Sequence, residues 1–466
     1  MGLNLLTQLP PEWPDDLLPE IQKQLKAARR KVVVLDDDPT GTQTVHDIPV
    51  LTGWSVEVLG KELQNDLPAF YLLTNSRSLP LAQAQALNQK IGRNLLEAGR
   101  QTGCDFAVVS RSDSTLRGHF PGELEALTTG LAQPFDGWLL VPYFLEGGRY
   151  TINDVHYVAE GDKLVPAAET PFAQDAAFGY HASNLRQWVA EKTGGRIPAK
   201  TVASISIEEI RQGGPAQVSR RLCALEQAKV CIVNAASPRD IEVFVRGLLG
   251  AEAAGKRFLY RTAASFVQTR AGLALRPLLT AQELELPNSG GGLIVVGSYV
   301  PKTTRQVQEL LAQPERVVAV EINVEALLDN RQRQSEIERV AGRANEGLQR
   351  QQDVMIYTAR NLITGRNAES SLAIGQRVSG SLVAIVQAIA SRPRYLLAKG
   401  GITSSDVATH ALGVKRALVR GQILPGVPVW QLGPESRQPG LTYIVFPGNV
   451  GDTHALVEVT ARLSLK

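Results

Sequence analysis

Short apolar runs recur along the chain with longer helical patterns between them. In the first half they are Val32–Leu35, Phe70–Leu73, Phe106–Val109, Trp138–Val141, Val230–Val233 and Phe258–Tyr260. In the second they are Leu293–Val296, Val317–Val320, Val354–Tyr357, Tyr395–Ala398, Ala417–Val419 and Tyr443–Phe446. Runs this rich in β-branched residues need burial on both faces, and strands alternating with helices build parallel βαβ units. Between the two sets lies Pro287-Asn288-Ser289-Gly290-Gly291-Gly292, the composition of a flexible hinge. The pattern predicts an α/β fold of two domains, each with a largely parallel sheet flanked by helices, separated by a ligand cleft. The expected divisions are a charged, amphipathic N-terminal helical extension (1–30), a first domain (31–282), a linker (283–292) and a second domain (293–466). One stretch, 146–170, fits neither period and reads as an excursion holding a hairpin or lid.

Composition narrows the function more than the fold. A length of 466 residues favours two or three domains, and 44% apolar with 20% charged residues is ordinary for a globular protein. The net charge of +3, from 49 basic and 46 acidic residues without a basic stripe, argues against nucleic acid as a partner. No run of about 18 apolar residues predicts a membrane span, and the first residues lack the basic and apolar regions of a secretory signal. Cys104, Cys223 and Cys231 form no Cys-x-x-Cys pair and read as free structural thiols in a reducing cytoplasm. A homodimer and a monomer suit this composition equally.

Candidate chemistry gathers where predicted strands end. In the first half, Asp36-Asp37-Asp38 with Thr40-Gly41-Thr42 ends one strand and Thr74-Asn75-Ser76-Arg77-Ser78 the next. Ser110-Arg111-Ser112-Asp113-Ser114-Thr115-Leu116-Arg117-Gly118 ends a third. In open α/β sheets ligands bind at these carboxyl ends. Carboxylates, hydroxyls and guanidiniums together suit a small polyhydroxylated acid, with Arg77 or Arg117 as the planar fork for its carboxylate. The plainer account makes Asp38 and Asp113 helix caps and pairs the arginines with surface acids. Three polar strand ends in succession favour a site, and Asp37 stands out because a cap needs no further carboxylates beside it.

In the second half the strand ends are small: Gly297-Ser298-Tyr299-Val300, Lys399-Gly400-Gly401-Ile402-Thr403-Ser404-Ser405-Asp406 and Pro447-Gly448-Asn449-Val450-Gly451-Asp452. Adjacent glycines let backbone N–H groups approach a phosphate, a helix opening near Thr403 adds its positive end, and Lys399 offers a point charge. Without a ligand, Thr403 and Asp406 would instead form a Thr-x-x-Asp capping arrangement. The P-loop, the dinucleotide fingerprint, the nucleophile elbow and His-Glu-x-x-His are all missing, and the six histidines show no metal-ligand spacing, so no protein-held metal is expected.

Taken in order, Asp37-Asp38-Pro39-Thr40-Gly41, Thr74-Asn75-Ser76-Arg77 and Asp113-Ser114-Thr115-Leu116-Arg117-Gly118 resemble the substrate half of the four-carbon acid sugar kinase family. Gly297-Ser298, Lys399-Gly400-Gly401-Ile402-Thr403 and Pro447-Gly448-Asn449-Val450-Gly451 resemble its nucleotide half. The resemblance runs from about residue 31 to the C-terminus. It departs from the usual pattern after Gly41, where Ala is common and Thr42-Gln43-Thr44-Val45-His46-Asp47 stands here, and in the extension before Lys31. It implies an ATP-dependent kinase acting on the terminal hydroxyl of threonate, erythronate or 3-oxo-tetronate. Asp37, Arg77 and the segment Arg111, Ser112, Asp113 and Ser114 would hold the acid, and Ser298, Gly400 to Thr403 and Gly448 would hold ATP. Joined to the residue reading, this expects Asp37, with Asp113 second, to orient or deprotonate the hydroxyl, and Mg²⁺ to arrive bound to the nucleotide. Two rivals are an aldolase or isomerase acting on a sugar acid and a non-catalytic metabolite sensor.

Overall fold

The computed structural model describes residues 4–360, 363 and 368–464. The first three residues of the N-terminal extension, and residues 361–362, 364–367 and 465–466 of the second domain, lie outside the described residues. The chain divides into two compact units, one of residues 1–48 and 53–275, the other of 49–52 and 276–466.

The first unit is built on strands β1 (Lys31–Asp36), β3 (Ala69–Leu73), β4 (Phe106–Arg111), β5 (Gly137–Val141), β9 (Ala203–Ile205), β10 (Lys229–Val233) and β11 (Phe258–Thr262), with β2 (Ile48–Leu51) discussed below. They pair in the order β3-β1-β4-β11-β5-β10-β9, every pairing parallel. Residues of β1 are all buried, as a β-branched run covered on both faces must be. The order changes direction at β1, which has β3 on one side and β4 on the other, and that is where an open α/β sheet opens a crevice. Register aligns Asp36 with Leu73 and with Arg111, and Arg111 with Thr262, so the polar segments after β1, β3 and β4 leave the sheet side by side with the end of β11.

Two covering helices show why local sequence matters. Leu81–Thr102 buries Ala84, Asn88, Ile91, Leu95 and Ala98, one helical stripe. It crosses Gly122–Leu131 at paired glycines: a Cβ at Gly130 would stand 2.4 Å from the Gln89 carbonyl oxygen. The charged stretch before β1 forms the helix Leu18–Ala28, which packs on Pro238–Ala253. The excursion at 146–170 is an antiparallel meander of β6 (Arg149–Ile152), β7 (Val155–Glu160) and β8 (Lys163–Pro166).

The second unit contains β12 (Leu293–Val296), β13 (Val318–Ile322), β14 (Val354–Thr358), β15 (Tyr395–Lys399), β16 (Arg416–Leu424), β17 (Val427–Leu432) and β18 (Thr442–Phe446) in the order β13-β14-β12-β15-β18-β17-β16. The first five are parallel, and β17 and β16 complete the sheet antiparallel. Residues 49–51 of β2 and the following Thr52 belong to this unit, where the Thr52 N–H donates to the Lys415 carbonyl at 3.1 Å. The segment read as a hinge is partly anchored here: Leu284 and Leu286 pack into the core, and Arg394 Nε donates to the Pro287 carbonyl at 2.6 Å.

Among the described residues no helix is long and apolar enough to cross a membrane. The three cysteines are free, and burial pushes the Cys231 thiol up to about 12.

Candidate active site

In the first unit the ends of β1, β3 and β4 form one charged network. Asp36 sits beneath it, with Arg111 Nη1 at 3.1 Å, and burial pushes its carboxyl up to about 8 against the pull of that arginine. Asp37 faces the loop after β4: Ser112 Oγ donates to Asp37 Oδ2 at 2.7 Å. Its Oδ1 lies 3.8 Å from Arg111 and 3.9 Å from Arg77, yet accepts no hydrogen bond. A buried carboxylate oxygen without a donor is uncommon, and its lone pairs remain open to a donor.

Asp38 caps the turn that follows it, as the plainer account has it, and its second oxygen is engaged as well. Its Oδ1 accepts from the Thr40 N–H at 2.8 Å, capping the turn Pro39–Thr42, and its other oxygen pairs with Arg77. Burial raises its carboxyl, but Arg77 and the Thr40 bonds outweigh that and hold it low. Arg77 also lies 3.6 Å from Asp113. Asp113 accepts from Arg117 Nε at 2.7 Å and from Thr115, and although burial opposes it, Arg117 and Arg77 hold its carboxyl well below the usual range. Arg117 reaches Asp175 at 3.5 Å as well. The arginines thus pair with acids of the site itself, and neither Arg77 nor Arg117 is a spare fork.

The loop after β4 is held from behind. His156 on β7 bonds the Ser114 carbonyl through Nε2 at 2.7 Å and Thr151 Oγ1 through Nδ1 at 3.0 Å. A carbonyl only accepts, so Nε2 carries the proton and Nδ1 accepts from the threonine. Burial pulls this ring down to about 4, consistent with a neutral imidazole. Tyr180 donates its hydroxyl to the Thr115 carbonyl at 2.8 Å. Leu116 and Gly118 take positive φ of 70° and 116°, and a Cβ at 118 would crowd Ser112 Oγ, Arg261 and Asp37 at 2.9–3.2 Å.

In the second unit the three glycine-bearing loops leave adjacent strands β12, β15 and β18. A Cβ at Gly448 would stand 2.7 Å from Ser298 Oγ, and one at Gly297 would stand 2.3 Å from Thr403 Oγ1. Gly400 has φ 117° and would press a Cβ to 3.0 Å of Ser298 Cβ. Thr303 Oγ1 bridges the first and third loops, donating to the Gly448 carbonyl at 2.8 Å. Gln306 donates to the carbonyls of Val450 and Asp452 at 3.1 and 2.6 Å, which fixes the loop holding Asn449 and Gly451. The Gly297 and Gly400 N–H groups already donate to the Lys399 and Phe446 carbonyls at 3.4 and 2.8 Å, which leaves the first N–H groups of the following helix as the loop's donors toward an anion.

Two expectations about these loops change. The helix begins at Gly401 with Gly400 as its N-cap, so Thr403 lies inside the first turn and the Thr403–Asp406 capping arrangement does not form; Asp406 accepts from Ser379 instead. Only a glycine at φ 117° turns the chain early enough for that start. Lys399 is buried, its Nζ donating to the Pro447 carbonyl at 3.1 Å and lying 3.6 Å from the Phe446 ring centroid. Burial, with Lys302 adding to it, holds this amine well below the ordinary lysine range. Ile402 is exposed, 62% of its surface open to solvent.

A family model described as a sugar-binding N-terminal domain matches residues 32–270, and one described as a nucleotide-binding C-terminal domain matches 293–456. The chain belongs to the four-carbon acid sugar kinase family. Among curated relatives, a D-erythronate kinase of Heliobacterium modesticaldum is 25% identical over 84% of this chain and 88% of its own length. A 3-oxo-tetronate kinase of Methylobacterium radiotolerans is 26% identical over 89% and 95%. A Haemophilus influenzae protein of known structure, from the DUF1537 family, shares the fold at TM-score 0.61 and 18% identity, covering 93% of this chain and all of its own (100%). A Salmonella typhimurium LT2 protein does so at TM-score 0.65 and 20% identity, over 92% and 98%.

Several residues around this family's site were not singled out in the sequence. Arg261, at the end of β11, donates to the Arg117 carbonyl at 2.9 Å and lies against Phe120 and Trp188. The run Phe258–Thr262 ends in Arg-Thr, so a fourth polar strand end was visible. Glu123, in the first turn of Gly122–Leu131, is buried with Oε2 unpartnered, and burial followed by the neighbouring Asp37 pushes it up to about 7. In the second unit Arg360 donates to the Ser298 carbonyl at 2.8 Å and stacks on Tyr299.

Proposed function

We propose that this chain is an ATP-dependent kinase that phosphorylates the terminal C4 hydroxyl of a four-carbon sugar acid such as threonate, erythronate or 3-oxo-tetronate. The observation that carries the reading is the bare, buried Oδ1 of Asp37, flanked by two guanidiniums at the switch point of the sheet. The names of the two curated relatives support the substrate class.

ATP, when bound, supplies the phosphoryl group. Ser298, Gly401, Ile402, Thr403, Gly448, Asn449 and Gly451 would hold its phosphates mainly through backbone N–H groups, with Gly400, whose own N–H is taken by the Phe446 carbonyl, setting the turn; the close approach of the three loops, which leaves no room for a Cβ at 297, 400 or 448, fits that role. Lys399, buried beside the loops without a carboxylate, would regain favourable charge next to a phosphate. Among the described residues no group of three or more His, Cys, Asp or Glu side chains is placed to hold a metal. Mg²⁺ is proposed as the nucleotide's companion because it keeps several waters and shares phosphate oxygens.

Phosphoryl transfer asks the protein for positioning and charge stabilisation. Asp37 Oδ1 accepts the substrate's hydroxyl proton, while Ser112 holds Oδ2 and fixes the carboxylate plane. Asp113 is too weak a base for that task, since Arg117 and Arg77 hold its carboxyl so low; it orients hydroxyls instead. Free thiols at three positions suit a reducing compartment such as the cytoplasm. An aldolase or isomerase would leave the second unit's bare loops without a role, and a sensor would bind without consuming ATP.

The test is ADP release with Mg²⁺ and ATP against D- and L-threonate, D- and L-erythronate and 3-oxo-tetronate, with longer sugar acids as controls. Turnover with one four-carbon acid is the expected result. Nucleotide binding without acid-dependent ADP release from any of them refutes the proposal.

A further inference from the structure

Five arginines surround the acidic cluster of the first unit, and four are accounted for. Arg77 is paired with Asp38 and faces Asp37 and Asp113, Arg111 lies on Asp36, and Arg117 lies on Asp113 and Asp175. Arg261 is buried against Phe120 and Trp188 and bonds a carbonyl. Arg149, the first residue of β6, is different. Its guanidinium makes neither a hydrogen bond nor an ion pair among the described residues, whereas Arg111, whose Nε is likewise unpartnered, keeps Nη1 on Asp36 and Arg261 keeps Nη2 on the Arg117 carbonyl.

The position is built rather than incidental. The Arg149 backbone is clamped on both sides by Phe144, N–H to carbonyl at 2.8 Å and the reverse at 3.1 Å. Its guanidinium lies 5.5 Å from the Phe172 ring centroid, and Arg117 lies 5.3 Å from the same ring. Gly147 makes space for it, since a Cβ there would come within 2.9 Å of Arg149 Nη1. The meander carrying Arg149 is tied to the Asp113 loop by the His156 bond to Ser114. Contact with a ring face accounts for the stacking but satisfies none of the in-plane N–H groups, and a buried Nε without an acceptor is costly.

We propose that Arg149 reads the carboxylate of the substrate, so that the meander, and not the Arg77 or Arg117 fork, sets the preference for an acid over an uncharged sugar or polyol. A planar fork binds a carboxylate through two parallel N–H···O bonds; Arg77, Arg111 and Arg117 already face the site's own acids, and Arg261 is held by the Arg117 carbonyl and two rings. Placed there, the carboxylate anchors one end of a short chain whose hydroxyls fall toward Asp113 and Asp37. The inference rests on the proposed kinase reading for the identity of the acid.

Two measurements test it: calorimetric binding of the acid in the absence of ATP, and kcat/KM for the acid and for threitol, its uncharged analogue. Arg149→Gln is expected to weaken acid binding about 10- to 100-fold, as for loss of a charge-assisted bond, with the ATP KM and the thermal midpoint unchanged. The acid-over-threitol ratio should collapse by the same factor, and Arg149→Lys should recover part of it. Unchanged acid affinity overturns the inference, as does an equal loss for acid and threitol or a loss that tracks a lowered thermal midpoint. A wild-type protein that neither binds nor phosphorylates any four-carbon acid instead refutes the kinase reading, so the two failures are distinct.

Discussion

Asp37→Asn tests the chemistry most directly, because the replacement keeps the shape of the side chain and removes its charge and basicity. In the native site Oδ2 accepts from Ser112 at 2.7 Å and Oδ1 is bare. Asparagine can still accept from Ser112, but it then turns an NH2 toward the substrate hydroxyl and toward Arg77 and Arg111, donors facing donors. The fold should survive. Arg77 keeps Asp38 and Asp113, and Arg111 keeps Asp36, so neither guanidinium is left as an unpaired buried charge, the case that costs about 3–5 kcal/mol. What disappears is the proton acceptor, worth about 10²–10⁴ in rate, or about 3–5 kcal/mol of barrier. Steady-state kinetics with saturating MgATP should show kcat reduced by that range, with the thermal midpoint close to wild type. A kcat reduced less than about tenfold refutes the assignment of Asp37 as base; an equally small effect of Ser112→Ala would reinforce that refutation.

Three further outcomes are expected. Gly400→Ala places a side chain at φ 117° against Ser298, so nucleotide affinity should drop at least about tenfold while acid binding by the first unit persists; unchanged ATP titrations would refute the cradle. Glu123, ordinarily near 4.5, is pushed up to about 7, so the fold bears no penalty for it below pH 4.5 and the full penalty once the pH exceeds about 7. Glu123→Gln should therefore stabilise the fold at pH 8 by up to about 3 kcal/mol, seen as a raised thermal midpoint, and do little at pH 5, and the reverse order would contradict the burial argument. His156 runs the other way. Its pKa falls from 6.5 to about 4, a contribution of about 3 kcal/mol present above pH 6.5 and lost as the pH falls toward 4; His156→Gln should flatten the wild-type decline in that window if the ring is its source.

Most of the strands were legible because they are short apolar runs buried on both faces, and β13 and β16, which alternate buried with more exposed positions, still carry an apolar core run. The strands that escaped are those without that signature. β2 (Ile48–Leu51) is brief and belongs mostly to the second unit, β9 is three residues long, and β17 holds Pro428 and Gln431 between its apolar positions. The meander was visible only as a loss of period. In the site, the residues following β1, β3 and β4 could be named because they are contiguous with their strands. Arg149, His156 and Tyr180 could not, since they reach the loop after β4 from 30 to 70 positions further along the chain and no local pattern records that closure. The same blindness misassigned the arginines: sequence shows a guanidinium beside carboxylates, but only the fold shows which carboxylate occupies it.

The two units solve recognition in opposite ways, and that explains why their sites differ in how they read. A small acid with several hydroxyls has no large surface to bury, so affinity and orientation must come from side chains of fixed direction. The first unit supplies them as a buried network in which most charges already have partners, with a bare oxygen on Asp37 and the guanidinium of Arg149 among its open valences. A polyphosphate offers many equivalent oxygens, and backbone N–H groups serve it best when nothing stands in front of them. The second unit accordingly removes side chains at 297, 400 and 448 and buries the lysine beside them under Phe446. A network of filled valences fixes geometry before the ligand arrives, which is the condition for electrostatic catalysis without reorganisation. It follows that substitutions among the filled pairs should disturb stability first, and substitutions at the open valences should disturb ligand binding and rate first.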